Sequence, residues 1–123
     1  MKKQYRIKKQ SEIDAIFNNK KATGNMYFSV FLKENTNNYF RFGLSIGKKY
    51  GNAVSRNKIK RQIRSIVRLN KTEIIGGYDF IIVIKPQANR LTYQEIEEQI
   101  IGLLKKQKIM ENKKWKRNIK FYH

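Results

Sequence analysis

Apolar residues recur along the chain with two different periods, and each change of period marks an element. Ser11-Glu12-Ile13-Asp14 has the form of a helix start, with a serine able to accept from exposed amides, acids in the first turn, and Ile13, Ile16 and Phe17 at helical spacing to about residues 18–21. Residues 26–33 alternate instead: Met26, Phe28, Val30 and Leu32 fall on one face and Tyr27, Ser29, Phe31 and Lys33 on the other. Asn35-Thr36-Asn37-Asn38 is turn-forming. Residues 39–46 alternate again, with Phe40, Phe42, Leu44 and Ile46 opposite Arg41, Gly43 and Ser45, so the two segments are expected to pair as a hairpin with one greasy and one mixed face.

The period then becomes helical from Asn52 or Ser55 to Leu69, where Ile59, Ile63, Ile66 and Val67 form an apolar stripe in an otherwise basic segment. Either residue could be the cap. Gly76-Gly77 punctuates a loop, residues 78–85 are nearly all apolar and predict a strand buried from both sides, and Pro86 stops it. Thr92-Tyr93-Gln94-Glu95 has capping-box spacing, followed by Ile96, Ile100, Leu103 and Leu104 at helical intervals to about residue 108. The predicted order is helix-strand-strand-helix-strand-helix, an α+β fold with one small mixed sheet and helices packed on it. Residues 1–108 form a single α+β domain in this division, and 109–123 a basic C-terminal tail carrying Trp115, Phe121 and Tyr122.

Charge narrows the partner class. The 123 residues contain 28 Lys plus Arg against 9 Asp plus Glu, a formal charge of +19, whose self-repulsion calls for a polyanion. A hydrophobic content of 40% is too high for a disordered basic tail and is enough for one core. There is no cysteine, which removes disulfides, zinc fingers and cysteine nucleophiles, and His123 is the only histidine. The longest unbroken apolar run, residues 80–84, is far below the ~20 residues of a spanning helix, and the basic N-terminus lacks the apolar stretch of a signal peptide. A cytoplasmic protein with no membrane partner is expected.

Catalytic chemistry finds little support. Glu12 and Asp14, like Glu95, Glu97 and Glu98, sit in first helical turns, where the helix dipole explains them. Asp79 stands alone at a strand start, and Gly43-Leu44-Ser45-Ile46-Gly47-Lys48-Lys49 is one residue short of a phosphate loop and ends in Lys where magnesium needs Ser or Thr. No catalytic residue, metal-ligand set or small-molecule substrate is therefore expected. The basic helix is different. Arg56, Lys60, Arg64 and Arg68 recur every fourth residue, with Lys58 and Arg61 beside them, and ten basic residues but no acid lie between Glu34 and Glu73. A solvated helix face ordinarily alternates in sign, and this one does not. On the mixed face, Tyr27, Phe31 and Ser29 beside Arg41 and Lys33 have the composition of a single-strand platform, rings for bases and cations for backbone. The same pattern fits rings covered by a helix as ordinary core, and Phe17 is likewise core or rim.

The segment Gly43-Leu44-Ser45-Ile46-Gly47-Lys48-Lys49-Tyr50-Gly51-Asn52-Ala53-Val54-x-Arg56-Asn57-Lys58-Ile59-Lys60-Arg61-x-Ile63-Arg64 resembles the signature of the protein subunit of bacterial ribonuclease P, whose core is G-N-A-V-x-R-N-[RK]-I-K-R-x-[IL]-R. Similar segments extend over nearly the whole chain, from Tyr5-Arg6-Ile7-Lys8-Lys9 to Leu91-Thr92-Tyr93-x-Glu95. The resemblance implies a non-catalytic subunit of a ribonucleoprotein endonuclease, in which a catalytic RNA with Mg2+ hydrolyses precursor tRNA to release its 5′ leader. It implies RNA-subunit binding by Lys48, Lys49, Arg56, Asn57, Lys58, Lys60, Arg61, Arg64 and Arg68, and leader binding by Phe17, Phe31, Tyr27, Ser29 and Lys85. It also implies a left-handed strand-helix-strand crossover, against the general rule. Two positions depart from the pattern: Ile13 stands where relatives often present an aromatic, and Lys85 where an Arg is common near that place. The alternatives are a structural ribosomal protein binding ribosomal RNA, which needs no aromatic cleft, and a self-sufficient nuclease, which lacks a general base.

Overall fold

The computed structural model describes residues 3–110. The remaining residues of the predicted tail, with Trp115, Phe121, Tyr122 and His123, lie outside the described residues.

Three helices, α1 (Gln10–Asn18), α2 (Ala53–Leu69) and α3 (Tyr93–Lys106), accompany four strands, β1 (Lys21–Gly24), β2 (Phe28–Glu34), β3 (Arg41–Ile46) and β4 (Tyr78–Ile84). The sheet order is β1-β2-β4-β3. β2 runs antiparallel to both β1 and β4, whereas β3 and β4 are parallel and α2 forms the crossover between them. The expected hairpin of 26–33 with 39–46 is therefore incorrect, because β4 is inserted between its arms. The physical reason is β4's own composition. A strand apolar on both faces is stable only where both faces are covered, at the centre of the sheet. Residues 35–40 must then step across the start of β4, and the crossing is tight. A Cβ on Gly76 would come within 2.3 Å of the Asn38 carbonyl oxygen, and Gly77 adopts a φ of +88°.

Phe28, Val30, Leu32, Phe42, Phe80, Ile82 and Ile84 form one apolar face of the sheet, on which α2 and α3 pack through Ile59, Ile63, Ile66, Ile96, Ile100 and Leu104. Burying the four-residue stripe of α2 contributes roughly 6 to 12 kcal/mol as an upper estimate, and this packing holds in place a helix whose own charges repel. Asn52 caps it, its side chain accepting from the Ser55 amide at 2.9 Å. Thr92 and Glu95 form the expected capping box on α3. α1 starts at Gln10 without a side-chain cap, so Ser11 lies inside the helix. Ile109 and Met110, assigned to the tail from sequence, are buried in the main core, and Met110 bridges Ile74.

Candidate nucleic-acid interface

The basic groove arises from helical geometry. Each fourth-residue step advances about 40° around a helix, so the row from Arg56 to Arg68 climbs from the buried seam to the surface. Arg56 and Lys60 are half-buried, and Arg64 and Arg68 exposed. Arg61, Arg64, Ser65 and Arg68 line a concavity of about 360 Å3 together with Arg6 and Phe42. A second one of about 200 Å3 adjoins it, sharing Arg6 and Arg64 and adding Lys8 and Lys60. Arg6 and Lys8 reach this place because the N-terminal segment runs beside the edge strand β3. Arg6 bridges Phe42 in parallel, and the Ile7 amide donates to the Phe42 carbonyl at 3.0 Å. None of these six cations pairs with a carboxylate among the described residues.

The rest of the expected set is distributed differently. Arg56 donates from Nη1 to the Gly51 carbonyl at 2.8 Å, which braces the turn entering α2. Lys48 and Lys49 are exposed on the single-turn helix Lys48–Tyr50, and Asn57 is exposed on α2. Lys58 lies on the other flank of the helix, facing the start of α3. Arg6 and Lys8 had no assigned role in the sequence, because their proximity to α2 depends on the non-local bridge to Phe42.

The second face of the sheet carries three cross-strand rows: Lys33, Asp79 and Arg41; then Ala22, Phe31, Ile81 and Gly43; then Gly24, Ser29, Val83 and Ser45. α1 covers the middle of this face through Ile16, which is buried with Ile7 and Ile81. The rings of Phe17 and Phe31 meet edge-to-face with centroids 4.8 Å apart, and both are half-buried, as are Ser29, Val83 and Ser45. Phe17 and Phe31 thus form the edge of a small core, and the row of Ser29, Val83 and Ser45 on the same face is only half covered, which makes this part of the sheet the candidate cleft. A strand buried from both sides predicts a covered Val83, and the structure leaves it half-buried. A half-covered position within an apolar strand leaves no mark in the sequence.

Three expected contributors to this cleft are corrected or qualified. Tyr27 packs against the main core on the α3 side, apart from the Phe17–Phe31 cluster. The reason is local: the Asn25 side-chain oxygen accepts from the Tyr27 and Phe28 amides at 2.8 and 3.0 Å, so a turn occupies these residues and strand alternation begins only at Phe28. For the same reason Met26 is exposed rather than on the greasy face. Arg41 is no free backbone cation. Its Nε and Nη2 donate to Asp79 at 3.0 and 2.6 Å and Nη2 also donates to Glu12 at 2.7 Å, and the hydrogen bonds to Asp79 raise its pKa further above the ordinary arginine value. Lys85 is half-buried and donates from Nζ to the Asn25 carbonyl.

Glu12 and Asp79 are the carboxylates that approach each other beside the cleft, and Arg41 occupies the space between them. That arrangement does not fit a divalent ion. Among the described residues no group of three His, Cys, Asp or Glu could hold one, and no helix is long and apolar enough to cross a membrane.

Known proteins resemble this chain over most of its length. The Ribonuclease P family profile matches residues 1–108. The ribonuclease P protein component of Phytoplasma australiense is 48% identical over 98 residues, covering 79% of this chain and 85% of that one. That of Acholeplasma laidlawii is 44% identical over 111 residues, covering 90% and 96%. A Staphylococcus aureus RNase P protein mutant with defective mRNA degradation activity superposes with a TM-score of 0.83 at 36% identity, covering 88% of this chain and 92% of that one. The Thermotoga maritima RNase P protein gives 0.77 at 31% identity, covering 87% and 98%. With matching sequence over nearly the full domain and the same fold, the chain belongs to the ribonuclease P protein family.

Proposed function

We propose that this chain binds the catalytic RNA of ribonuclease P through the groove of Arg6, Lys8, Lys60, Arg61, Arg64 and Arg68, and the single-stranded 5′ leader of precursor tRNA through the Phe17–Phe31 cleft. The observation that carries the assignment is the placement of two unlike surfaces on different sides of one small sheet. One is an acid-free cationic groove along α2. The other is a half-open aromatic pair under α1. Clustered cations without internal partners are suited to phosphates, and a strand free of duplex structure can lay its bases on exposed rings. Lys48, Lys49, Arg56 and Asn57 extend the first surface towards the start of α2, and Lys58 adds a cation on the other flank of that helix. Ser29 and Lys85 border the second, and Tyr27 lies apart from it against the main core. A structural ribosomal protein would share the groove and have no use for the cleft.

Phosphodiester hydrolysis then belongs to the RNA, with magnesium held by RNA phosphates rather than by this chain, whose converging acids close on Arg41. The test is reconstitution. Protein alone should leave precursor tRNA intact, and protein with the RNA subunit and magnesium should cleave it at a single phosphodiester. Cleavage by repurified RNA-free protein would overturn the assignment.

A further inference from the structure

The seam between α2, the turn at Pro86–Arg90 and the start of α3 holds a concavity of about 320 Å3 that neither surface above uses. Its base is apolar, formed by Ile59, Ile96 and Leu91, and the Tyr50 and Tyr93 rings stand beside it. The Tyr93 hydroxyl donates to Ser65 Oγ at 3.2 Å, which ties down a ring that is 37% exposed. At the rim are Lys58, Gln62 and Asn89. Their side chains make no hydrogen bond or ion pair with any described residue, and no carboxylate lines the site.

An apolar base with a tethered ring, two unpartnered amides and one ammonium is a set of groups suited to an unpaired nucleobase and its phosphate. The ring takes the π-face, the amides read the base edge with both donors and acceptors, and the lysine meets one phosphate. A single cation suits one phosphate of a chain better than the clustered charge of a free nucleoside polyphosphate. The position of Lys58, across α2 from the groove, then has a use.

We propose that this pocket binds one unpaired nucleotide of the RNA subunit, so that the RNA straddles α2 with phosphates along one flank and a base against the other. The proposal rests on the chain's association with that RNA. It is tested on the full-length protein assembled with the RNA. Because the sequence contains no cysteine, Asn89→Cys supplies a unique thiol for an aryl-azide cross-linker. Irradiation should mark one nucleotide or two adjacent ones in a single-stranded segment, and an absent or dispersed pattern would overturn the proposal.

A second measurement separates stacking from charge. Tyr93→Ala should lower affinity for the RNA subunit roughly five- to a hundredfold with the salt dependence unchanged, since a ring displaces no counterions. Tyr93→Phe, which removes the hydroxyl contact to Ser65 and keeps the ring, should retain wild-type affinity. Thermal melting establishes that each variant is folded. If folded Tyr93→Ala binds normally while charge reversal at Lys60 and Arg64 weakens binding, the pocket proposal is wrong and the groove assignment stands. If neither change matters, the groove assignment fails with it.

Discussion

Arg41 offers the sharpest energetic test of the fold around the cleft. Arg41→Met keeps the aliphatic stem and deletes the guanidinium, leaving Asp79, whose side chain is 9% exposed, with the Asn35 amide at 2.7 Å as its remaining side-chain donor. Stranding one partner of a fully buried ion pair costs about 3 to 5 kcal/mol. Here the Arg41 side chain is 21% exposed, so water already screens the pair, and the retained Asn35 bond softens the loss to roughly 2 to 3 kcal/mol. The Glu12 arm, with its carboxylate side chain 35% exposed, adds no more than about 1 kcal/mol. The total is then roughly 2 to 4 kcal/mol, and for a domain of this size each kcal/mol moves Tm by roughly 3 to 6 °C, so the variant should melt roughly 6 to 24 °C below the parent. Urea unfolding should show a lower midpoint at an unchanged slope. Asp79→Asn should be milder, because it leaves the more exposed member of the pair with Glu12 still in place. An Arg41→Met protein within about 0.5 kcal/mol of the parent would refute this account, and so would an Asp79→Asn variant that is the worse of the two.

Charge reversal at Lys60 with Arg64 should weaken assembly with the RNA subunit and flatten the slope of log K against log salt by roughly 0.7 to 0.9 per neutralised phosphate, measured by binding titrations across salt concentrations. Gly76→Ala should lower Tm, since the added methyl falls 2.3 Å from the Asn38 carbonyl oxygen at the β4 crossing; calorimetry would show it. Phe28→Ala, at a fully buried position in the main core, should cost about 3 to 5 kcal/mol in denaturant unfolding. Phe31→Ala in the assembled enzyme should weaken precursor tRNA roughly five- to a hundredfold and spare mature tRNA, with some loss of stability because its ring also packs on Phe17. Equal weakening of both tRNAs would place Phe31 in the core alone.

The legible parts of this molecule are those whose causes are local. α2 and α3 follow from stripes and caps within a few residues, and both survive in the structure. β1 left no trace, because Lys21, Ala22, Thr23 and Gly24 have no alternation and become a strand only by pairing with β2. From sequence Arg41 looks free, because no acid lies between Glu34 and Glu73. Its partner Asp79 is 38 residues away, brought alongside by the parallel register that sets Arg41 opposite it.

The pairing error has a similar origin, and its consequence for the cleft is instructive. Two alternating segments joined by a short polar turn favour a hairpin when only loop closure is considered. The competing requirement is to cover both faces of β4, and it outweighs the gain from closing a short loop. Alternation within each strand is indifferent to which strand lies alongside, so Phe31 stays on the face opposite Phe28 although its neighbour is Ile81 rather than a residue of β3. Insertion of β4 does change what surrounds Phe31. It places Val83 and Ile81 in the rows between β2 and β3, so the cleft has an aliphatic centre, and it draws the nearest arginine into an ion pair with Asp79. For the cleft, its aromatic wall was therefore readable from β2 alone, whereas its floor and charge depend on the strand that sequence order had placed elsewhere.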